Sequence, residues 1–200
     1  MERRNFKQPV SINTREDGTS CVSGYAAVFY REDEPGTEFE LWDGYVERIM
    51  PGAFDRAIQE DDVRALFNHD ANYVLGRNKA STLRLSVDSV GLRYEIDMPD
   101  TQTGRDVRQL IERGDVDGSS FAFIADGVER RRDNGVEVRE VTSVQLYDVG
   151  PVTYPAYAAT TTDTRDAKRN LEEWQEQDRK ALAERDAIAC RLSLLTIENE

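Results

Sequence analysis

Histidine is nearly absent from this chain: its 200 residues contain a single one, His69. Imidazole chemistry can therefore occur at only one position. The two cysteines, Cys21 and Cys190, lie far apart in the sequence, so the chain has no disulfide framework and suits a reducing compartment. The sequence also has no second histidine, no cysteine pair at ligand spacing and no clustered aspartate motif, which argues against a metal centre.

Basic residues are outnumbered by acidic ones, and long apolar runs are missing. Lys and Arg number 26 against 39 Asp and Glu, and the formal net charge of −13 disfavours nucleic acid binding, which needs a clustered basic surface. No apolar run approaches the ~18 residues that span a bilayer, and the N-terminal "MERRNFKQPV" has no apolar signal segment. No glycine-rich phosphate loop occurs. We therefore expect a soluble, intracellular protein without a cofactor, a nucleic acid partner or a membrane partner.

Residues 1–160 are predicted to form one mainly β domain of the α+β type. Strands are expected where apolar residues recur with period two, and short helices where they recur with helical spacing. An Asn-Gly pair favours a type I′ hairpin turn, because both positions need positive φ. The predicted strands are 21–29, 62–68, 81–87 and 91–98 and two long strands on either side of Asn134-Gly135, the predicted helices are 51–60 and 104–114, and 31–45 is predicted to be an exposed acidic loop.

Residues 161–200 differ in character from the rest of the chain. They are charged, rich in Ala and Leu, and contain neither Gly nor Pro, which predicts a helical extension. Apolar residues recur every seven positions, as in a short coiled-coil seam: Trp174, Ala181, Ile188 and Leu195. The pattern leaves open a docked or self-associating helix and a free, solvated one.

His69 is the first candidate functional residue. It follows Val63, Ala65 and Phe67 at the strand period, so we expect its side chain on their face, at the edge of the core. An imidazole in that position can be held in one tautomer and can act as a general base. The alternative is an inert, half-buried histidine at the end of a strand.

Ser120 is the candidate nucleophile. It lies in "GDVDGSSFAF" (114–123), where a glycine turn leads into an apolar strand, so that a hydroxyl is both firmly held and accessible. The alternative is that Ser119 and Ser120 only hydrogen-bond within the turn. Cys21 is a less favoured nucleophile, because a cysteine that opens an apolar strand usually belongs to the core.

Asp148 is the candidate orienting carboxylate. It follows Val144 and Leu146 on one strand face, and a carboxylate in line with core-directed side chains needs a partner. A histidine N–H would satisfy it and fix the tautomer of the ring. Alternatively, Asp148 caps the turn after its strand. Asp70 and Asp117 are rivals, although neighbours on a strand point to opposite faces, which counts against Asp70.

Five segments occur in the order that is typical of one protein family. They are "GYAAVF" (24–29), "PGAFDRAI" (51–58), "LFNHD" (66–70) followed by "LGR" (75–77), "GDVDGSSFAF" (114–123) and "LYDVGPVTYPAYAAT" (146–160). Over residues 20–160 the chain therefore resembles the prohead maturation proteases of tailed bacteriophages, a family similar to the herpesvirus assemblins.

The resemblance implies a serine endopeptidase built on a closed β-barrel with flanking short helices. Its substrates would be the scaffold and major capsid proteins of the phage, and the protease itself, inside the immature procapsid in the host cytoplasm. By motif, the histidine of "NHD" is His69, the serine of "SFAF" is Ser120 and the acidic residue of "LYDV" is Asp148. These three would be the catalytic residues, and neither a cofactor nor a metal is implied.

The chain departs from the family pattern at two positions. Ala122 replaces the usual glycine of S-F-G-F, which places a methyl group near the nucleophile, and Asp148 stands where glutamate is more common. No arginine follows Asp148 within its motif, so backbone N–H groups are the expected oxyanion donors. Two other function classes are alternatives: a non-catalytic capsid-assembly or scaffold protein, and a metal-dependent hydrolase.

Overall fold

The computed structural model describes residues 1–6, 9–15 and 19–154 of the chain, and these residues form a mainly β structure. One sheet has seven strands: β1 (Glu2–Phe6), β4 (Glu38–Trp42), β5 (Tyr45–Ile49), β6 (Arg64–Leu66), β7 (Val74–Arg77), β10 (Gly118–Asp133) and β11 (Val136–Val152). The other sheet has four: β2 (Ser11–Thr14), β3 (Ser20–Val28), β8 (Leu83–Val87) and β9 (Gly91–Asp97). Three short helices accompany the sheets: α1 (Ala57–Glu60), α2 (Gln102–Arg113) and a 3₁₀ turn at Asn78–Ala80.

The long hairpin of β10 and β11 organises the seven-stranded sheet. Strand order in that sheet is β1-β10-β11-β5-β4, with β6 pairing both β11 and β7. At the hairpin tip, Asn134 (φ 50°) and Gly135 (φ 87°) both adopt positive φ, and Asp133 pairs with Val136. The predicted Asn-Gly hairpin is therefore confirmed. At its other end the hairpin is buried and carries β1 and β6 on its two edges.

The four-stranded sheet contains the second predicted hairpin. Strands β8 and β9 pair antiparallel, with Leu83 opposite Ile96 and Leu85 opposite Tyr94. Alternate residues of β9, among them Tyr94 and Ile96, are fully buried in the core. The period-two pattern thus identified both the strands and the face that they bury.

The helix predicted at 104–114 is confirmed as α2, although it begins two residues earlier, at Gln102. The Oγ1 atom of Thr101 accepts a hydrogen bond from the backbone N of Gly104 at 3.1 Å, which caps the first turn. Val107 and Ile111 are buried on one face. The helix ends at Gly114, whose φ of 81° suits a glycine C-cap.

Two local predictions are wrong. The acidic segment 31–45 is not one loop, because Glu38–Trp42 forms β4 and pairs antiparallel with β5. The helix predicted at 51–60 is only Ala57–Glu60, because the residues before it form successive turns, with backbone N–H groups of Ala53 and Asp55 bonded three residues back.

The closed barrel is not found. Among the described strands, every pairing falls within one of two separate sheets, and no pair connects the four-stranded sheet with the seven-stranded one. Alternating burial along strands is the same in two packed sheets and in a barrel, so the pattern could not distinguish them. The predicted helical extension at 161–200, its heptad positions and Cys190 lie outside the described residues.

Candidate active site

The two serines at the start of β10 point in opposite directions. Adjacent residues of a strand alternate between its faces, and both serine side chains are fully buried. The Oγ atom of Ser119 lies 2.9 Å from the hydroxyl of Tyr94 in the core, where burial raises the pKa of the Tyr94 phenol. The Oγ atom of Ser120 instead forms a short hydrogen bond with Nε2 of His69. Ser120 is thus the serine that meets the imidazole.

His69 lies on a turn rather than on the predicted strand. Strand β6 ends at Leu66, and both Asn68 (φ 54°) and His69 (φ 57°) adopt the left-handed conformation that is uncommon for residues other than glycine. Its side chain therefore does not continue the alternating face of the strand, and the predicted position on that face is wrong. The ring is nevertheless held at the edge of the core, with a side chain that is 8% exposed.

Asp148 shares the face of the sheet that carries Ser120. Ser120 lies opposite Gly150 on β11, and Ala122 lies opposite Asp148, so alternation puts Ser120, Ala122 and Asp148 on one face. The Oδ1 atom of Asp148 lies 2.5 Å from Nδ1 of His69. The carboxylate is thus buried with a hydrogen-bond partner, as its place among core-directed residues requires.

The rival residues lie elsewhere. The Asp70 carboxylate accepts a hydrogen bond from the backbone N of Asn72 at 2.8 Å, a local turn contact. Asp117 precedes β10 and is exposed. Cys21 is buried on β3 of the other sheet, where its Sγ atom accepts a hydrogen bond from Arg84 at 3.8 Å.

The structure therefore gathers three side chains in a linear chain of hydrogen bonds, from Ser120 through both ring nitrogens of His69 to Asp148. If Nδ1 donates to the carboxylate, Nε2 is left to accept the serine proton. This arrangement suits nucleophilic attack by a hydroxyl with proton transfer to imidazole, as in acyl transfer.

Comparison with known proteins agrees with this chemistry. The family model described as Caudovirus prohead serine protease matches residues 8–177. The chain belongs to this family. Membership indicates a serine protease and a role in prohead maturation. No curated protein matches the chain.

One solved structure is similar to this chain. It is that of the bacteriophage T4 capsid assembly protease gp21, with a TM-score of 0.47 and 11% identity, and the match covers 76% of this chain and 99% of that one.

The two departures from the family pattern both fall at this site. The aspartate at position 148 is shorter than the more common glutamate, yet its carboxylate reaches His69 directly. Ala122 lies two residues after Ser120 on β10, directly opposite Asp148 on β11. The larger residue at 122 and the shorter one at 148 thus lie opposite each other on the face that carries Ser120.

Asn68 is a residue that sequence reasoning missed. Its side-chain Nδ2 donates to Oγ1 of Thr153 at 3.0 Å, and its Oδ1 accepts from the backbone N of Thr153 at 2.8 Å. Its own backbone N donates to the carbonyl of Pro151 at 3.2 Å. These contacts fasten the turn that carries His69 to the end of β11. The signal was the tolerance of asparagine for the left-handed conformation, next to the histidine.

Gly150 is a second missed residue. A Cβ atom at this position would lie 2.1 Å from the backbone oxygen of Leu66 on β6. Only glycine lets β6 approach β11 this closely, and β6 leads directly into the turn of His69. Gly150 therefore helps to set the distance between His69 and the strand pair that carries Ser120 and Asp148.

Among the residues that the structure describes, no cluster of three or more potential metal ligands occurs. The same part of the chain contains no helix that is both long and apolar enough to span a membrane.

Proposed function

We propose that this chain is a serine endopeptidase that cleaves the scaffold or major capsid protein of a tailed phage, and itself, inside the immature procapsid in the host cytoplasm. The observation that carries the proposal is the Ser120–His69–Asp148 chain of hydrogen bonds in a member of the prohead serine protease family.

In the proposed reaction, the Oγ atom of Ser120 attacks the scissile carbonyl carbon while Nε2 of His69 accepts the hydroxyl proton. Asp148 accepts a hydrogen bond from Nδ1–H, holds the ring in that tautomer and stabilises the imidazolium that forms. His69 then protonates the leaving amine, and the acyl-serine forms. Water, deprotonated by His69, hydrolyses this ester and regenerates Ser120.

The developing oxyanion needs donors, and backbone N–H groups near the start of β10 are proposed for this role. Within the "LYDV" motif no arginine follows Asp148 that could serve instead. Neither a metal nor a cofactor takes part in any step.

The proposed extension at 161–200 would serve self-association or contact with the scaffold. Deletion of residues 163–200 tests this role: we expect the shortened chain to enter proheads less efficiently. Packaging at the level of the full chain would contradict it.

The function is tested by expressing the full chain alone and with the capsid and scaffold proteins of its phage. The wild type is expected to fragment itself and the partner proteins over hours, while Ser120→Ala stays intact and leaves them uncut. Identical stable bands for both chains would favour a non-catalytic assembly protein. Loss of activity with a chelator would favour a metal-dependent hydrolase.

A further inference from the structure

The N-terminal strand β1 lies against the nucleophile. It pairs antiparallel with β10, and Asn5 is the residue directly opposite Ser120. The Oγ atom of Ser120 donates a hydrogen bond to the carbonyl oxygen of Arg4 at 3.1 Å. The side chain of Ser120 has no exposed surface in this arrangement. A serine nucleophile has to come within about 3–3.5 Å of a substrate carbonyl carbon, so no substrate can react while Ser120 is covered in this way.

The contact with Arg4 also competes for the serine proton. A hydroxyl group has one hydrogen, yet Oγ of Ser120 has two neighbours that can accept it, the Arg4 carbonyl and Nε2 of His69. When the hydrogen is donated to Arg4, it is not available to the imidazole. General base catalysis by His69 requires the second arrangement. Strand β1 therefore opposes the proposed reaction both by covering Oγ and by binding its proton.

Strand β1 is anchored by a group of four charges, three of them buried and Glu2 half-buried, here named the charge quartet: Glu2, Arg4, Glu47 and Arg139. Arg4 donates from Nε to Glu47 at 2.5 Å, and Arg139 donates to both carboxylate oxygens of Glu2 at 2.9 Å. Arg139 also forms a short hydrogen bond with Glu47, and Arg4 contacts Glu2 at 2.8 Å. Such pairs are strong where water is excluded, and Glu47 is completely buried.

The quartet divides evenly between β1 and the rest of the fold. Glu2 and Arg4 belong to β1, while Glu47 and Arg139 belong to β5 and β11 and bond each other. Departure of β1 would remove one negative and one positive charge together and would leave Glu47 paired with Arg139. The penalty of an unpaired buried charge therefore does not arise. Strand β1 is also the end strand of its sheet, so it can leave β10 without the separation of any other described strand pair.

From these contacts we propose that β1 is an inhibitory strand, held on β10 by the charge quartet, whose release uncovers Ser120 and frees its proton for His69. The inference rests on the proposed function, because it concerns the reactivity of the proposed nucleophile. Glu2 and Arg4 act in it through the placement of the Arg4 carbonyl, and they are not catalytic residues.

The test measures the rate at which a fluorophosphonate labels Ser120 in the full chain. The mass of the intact protein gives the extent of labelling, and Ser120→Ala gives the background. Two anchor variants are compared with the wild type. Glu2→Gln weakens the charge quartet while the side chain keeps its shape, and a shortened chain, in which a new initiator Met replaces residues 1–6, removes β1 altogether. Arg3→Gln is the matched control, since Arg3 lies on the same strand but is exposed and outside the quartet. Amide hydrogen exchange at residues 2–6 reports the release of β1.

Glu2→Gln is expected to label on the order of tenfold faster than the wild type, the ratio that follows from a tenfold rise in the population of released β1. The chain that lacks residues 1–6 is expected to label at least as fast as Glu2→Gln, because nothing covers Ser120 in it. Arg3→Gln is expected to label at the wild-type rate. Glu2→Gln is expected to speed amide exchange in β1.

Three results would overturn the inference. One is labelling at the wild-type rate in both anchor variants, and another is slower labelling in variants that still unfold cooperatively, which would make β1 a supporting strand. The third is a combined result, in which the shortened chain fails to fold and Glu2→Gln leaves amide exchange in β1 unchanged. Strand β1 would then be inseparable from the domain. Absence of labelling in every variant would instead refute the proposed function, and the inference with it.

Discussion

The Oδ1 atom of Asp148 lies 2.5 Å from Nδ1 of His69, although 79 residues separate the two in sequence. The aspartate lies on β11 beside a β-bulge at Tyr147, and the histidine is on a left-handed turn that Asn68 fastens to the end of the same strand. Strand β11 therefore contributes to this contact twice. Asp148 on the strand supplies the carboxylate, and the residues at and just beyond the end of the strand hold the turn that carries His69. Changes in either part should affect the orientation of the ring.

Asp148→Asn is expected to reduce kcat/KM for peptide hydrolysis about 10⁴-fold, with little loss of stability. An asparagine amide fits the same space but favours the tautomer with the hydrogen on Nε2, which cannot accept the serine proton. Asp70→Asn is the control, because the Asp70 carboxylate contacts only its own turn, through Asn72. Equal losses in both variants would show that Asp148 has no special part in the reaction.

Asn68→Gly is expected to lower kcat about 10–100-fold while KM changes little. Glycine accepts the left-handed backbone, so the variant removes only the side-chain bonds to Thr153 and loosens the turn of His69. Asn72→Ala, in the same segment but exposed, should retain its rate. Steady-state kinetics on a capsid-derived peptide separates the two parameters. A rise in KM with kcat unchanged would mean that Asn68 binds substrate instead.

Gly150→Ala is expected to destabilise the fold by more than about 3 kcal/mol, because its Cβ would meet the Leu66 backbone oxygen at 2.1 Å and β6 would have to move. Gly36→Ala is the comparison: its Cβ meets nothing within 4 Å, and its positive φ should cost only about 1–2 kcal/mol. Urea unfolding midpoints measure both. Similar losses would show that β6 and β11 are not held at this close distance.

Acid should weaken the four-stranded sheet through Asp97. The hydrogen bond from Arg84, together with Arg15, lowers the pKa of Asp97 from 3.8 to about 2 despite partial burial. A carboxylate with a lowered pKa in the folded state stabilises the fold above its unfolded pKa, and this contribution disappears as the pH falls through the folded value. The stability difference between the wild type and Asp97→Asn should therefore be constant above about pH 5, decrease as the pH falls towards 2 and vanish only below it. Urea unfolding over this range measures it, and a difference independent of pH would contradict the assignment.

Local signals predicted those parts of the fold in which a short segment determines its own conformation. The Asn134-Gly135 turn, the alternation of Leu92, Tyr94 and Ile96, and the helical pattern of α2 are of this kind. Strand β1 was not predicted, because its "ERRNF" sequence is polar and becomes a strand only through its pairing with β10 and through the charge quartet. The wrong prediction of a closed barrel has a similar cause, since closure depends on pairing between distant strands, which local patterns do not reveal.

The candidate site was predictable as a set of residues but not as a geometry. Ser120, His69 and Asp148 were selected by residue type and by motif, and the structure brings them together. His69 was assigned to a strand face, whereas it lies on a left-handed turn after Leu66. The contact of Ser120 with the Arg4 carbonyl joins residues 116 positions apart, and no pattern near either residue indicates it.

The most direct measurement is the position of a fluorophosphonate adduct, determined by mass spectrometry on the full chain and on the variant that lacks residues 1–6. We expect an adduct on Ser120 that Ser119→Ala retains, that His69→Ala strongly reduces and that Ser120→Ala abolishes. Two results would contradict the proposal that Ser120 is the nucleophile of a serine protease. One is the absence of an adduct from both the full chain and the chain that lacks residues 1–6, and the other is equal labelling of Ser120→Ala.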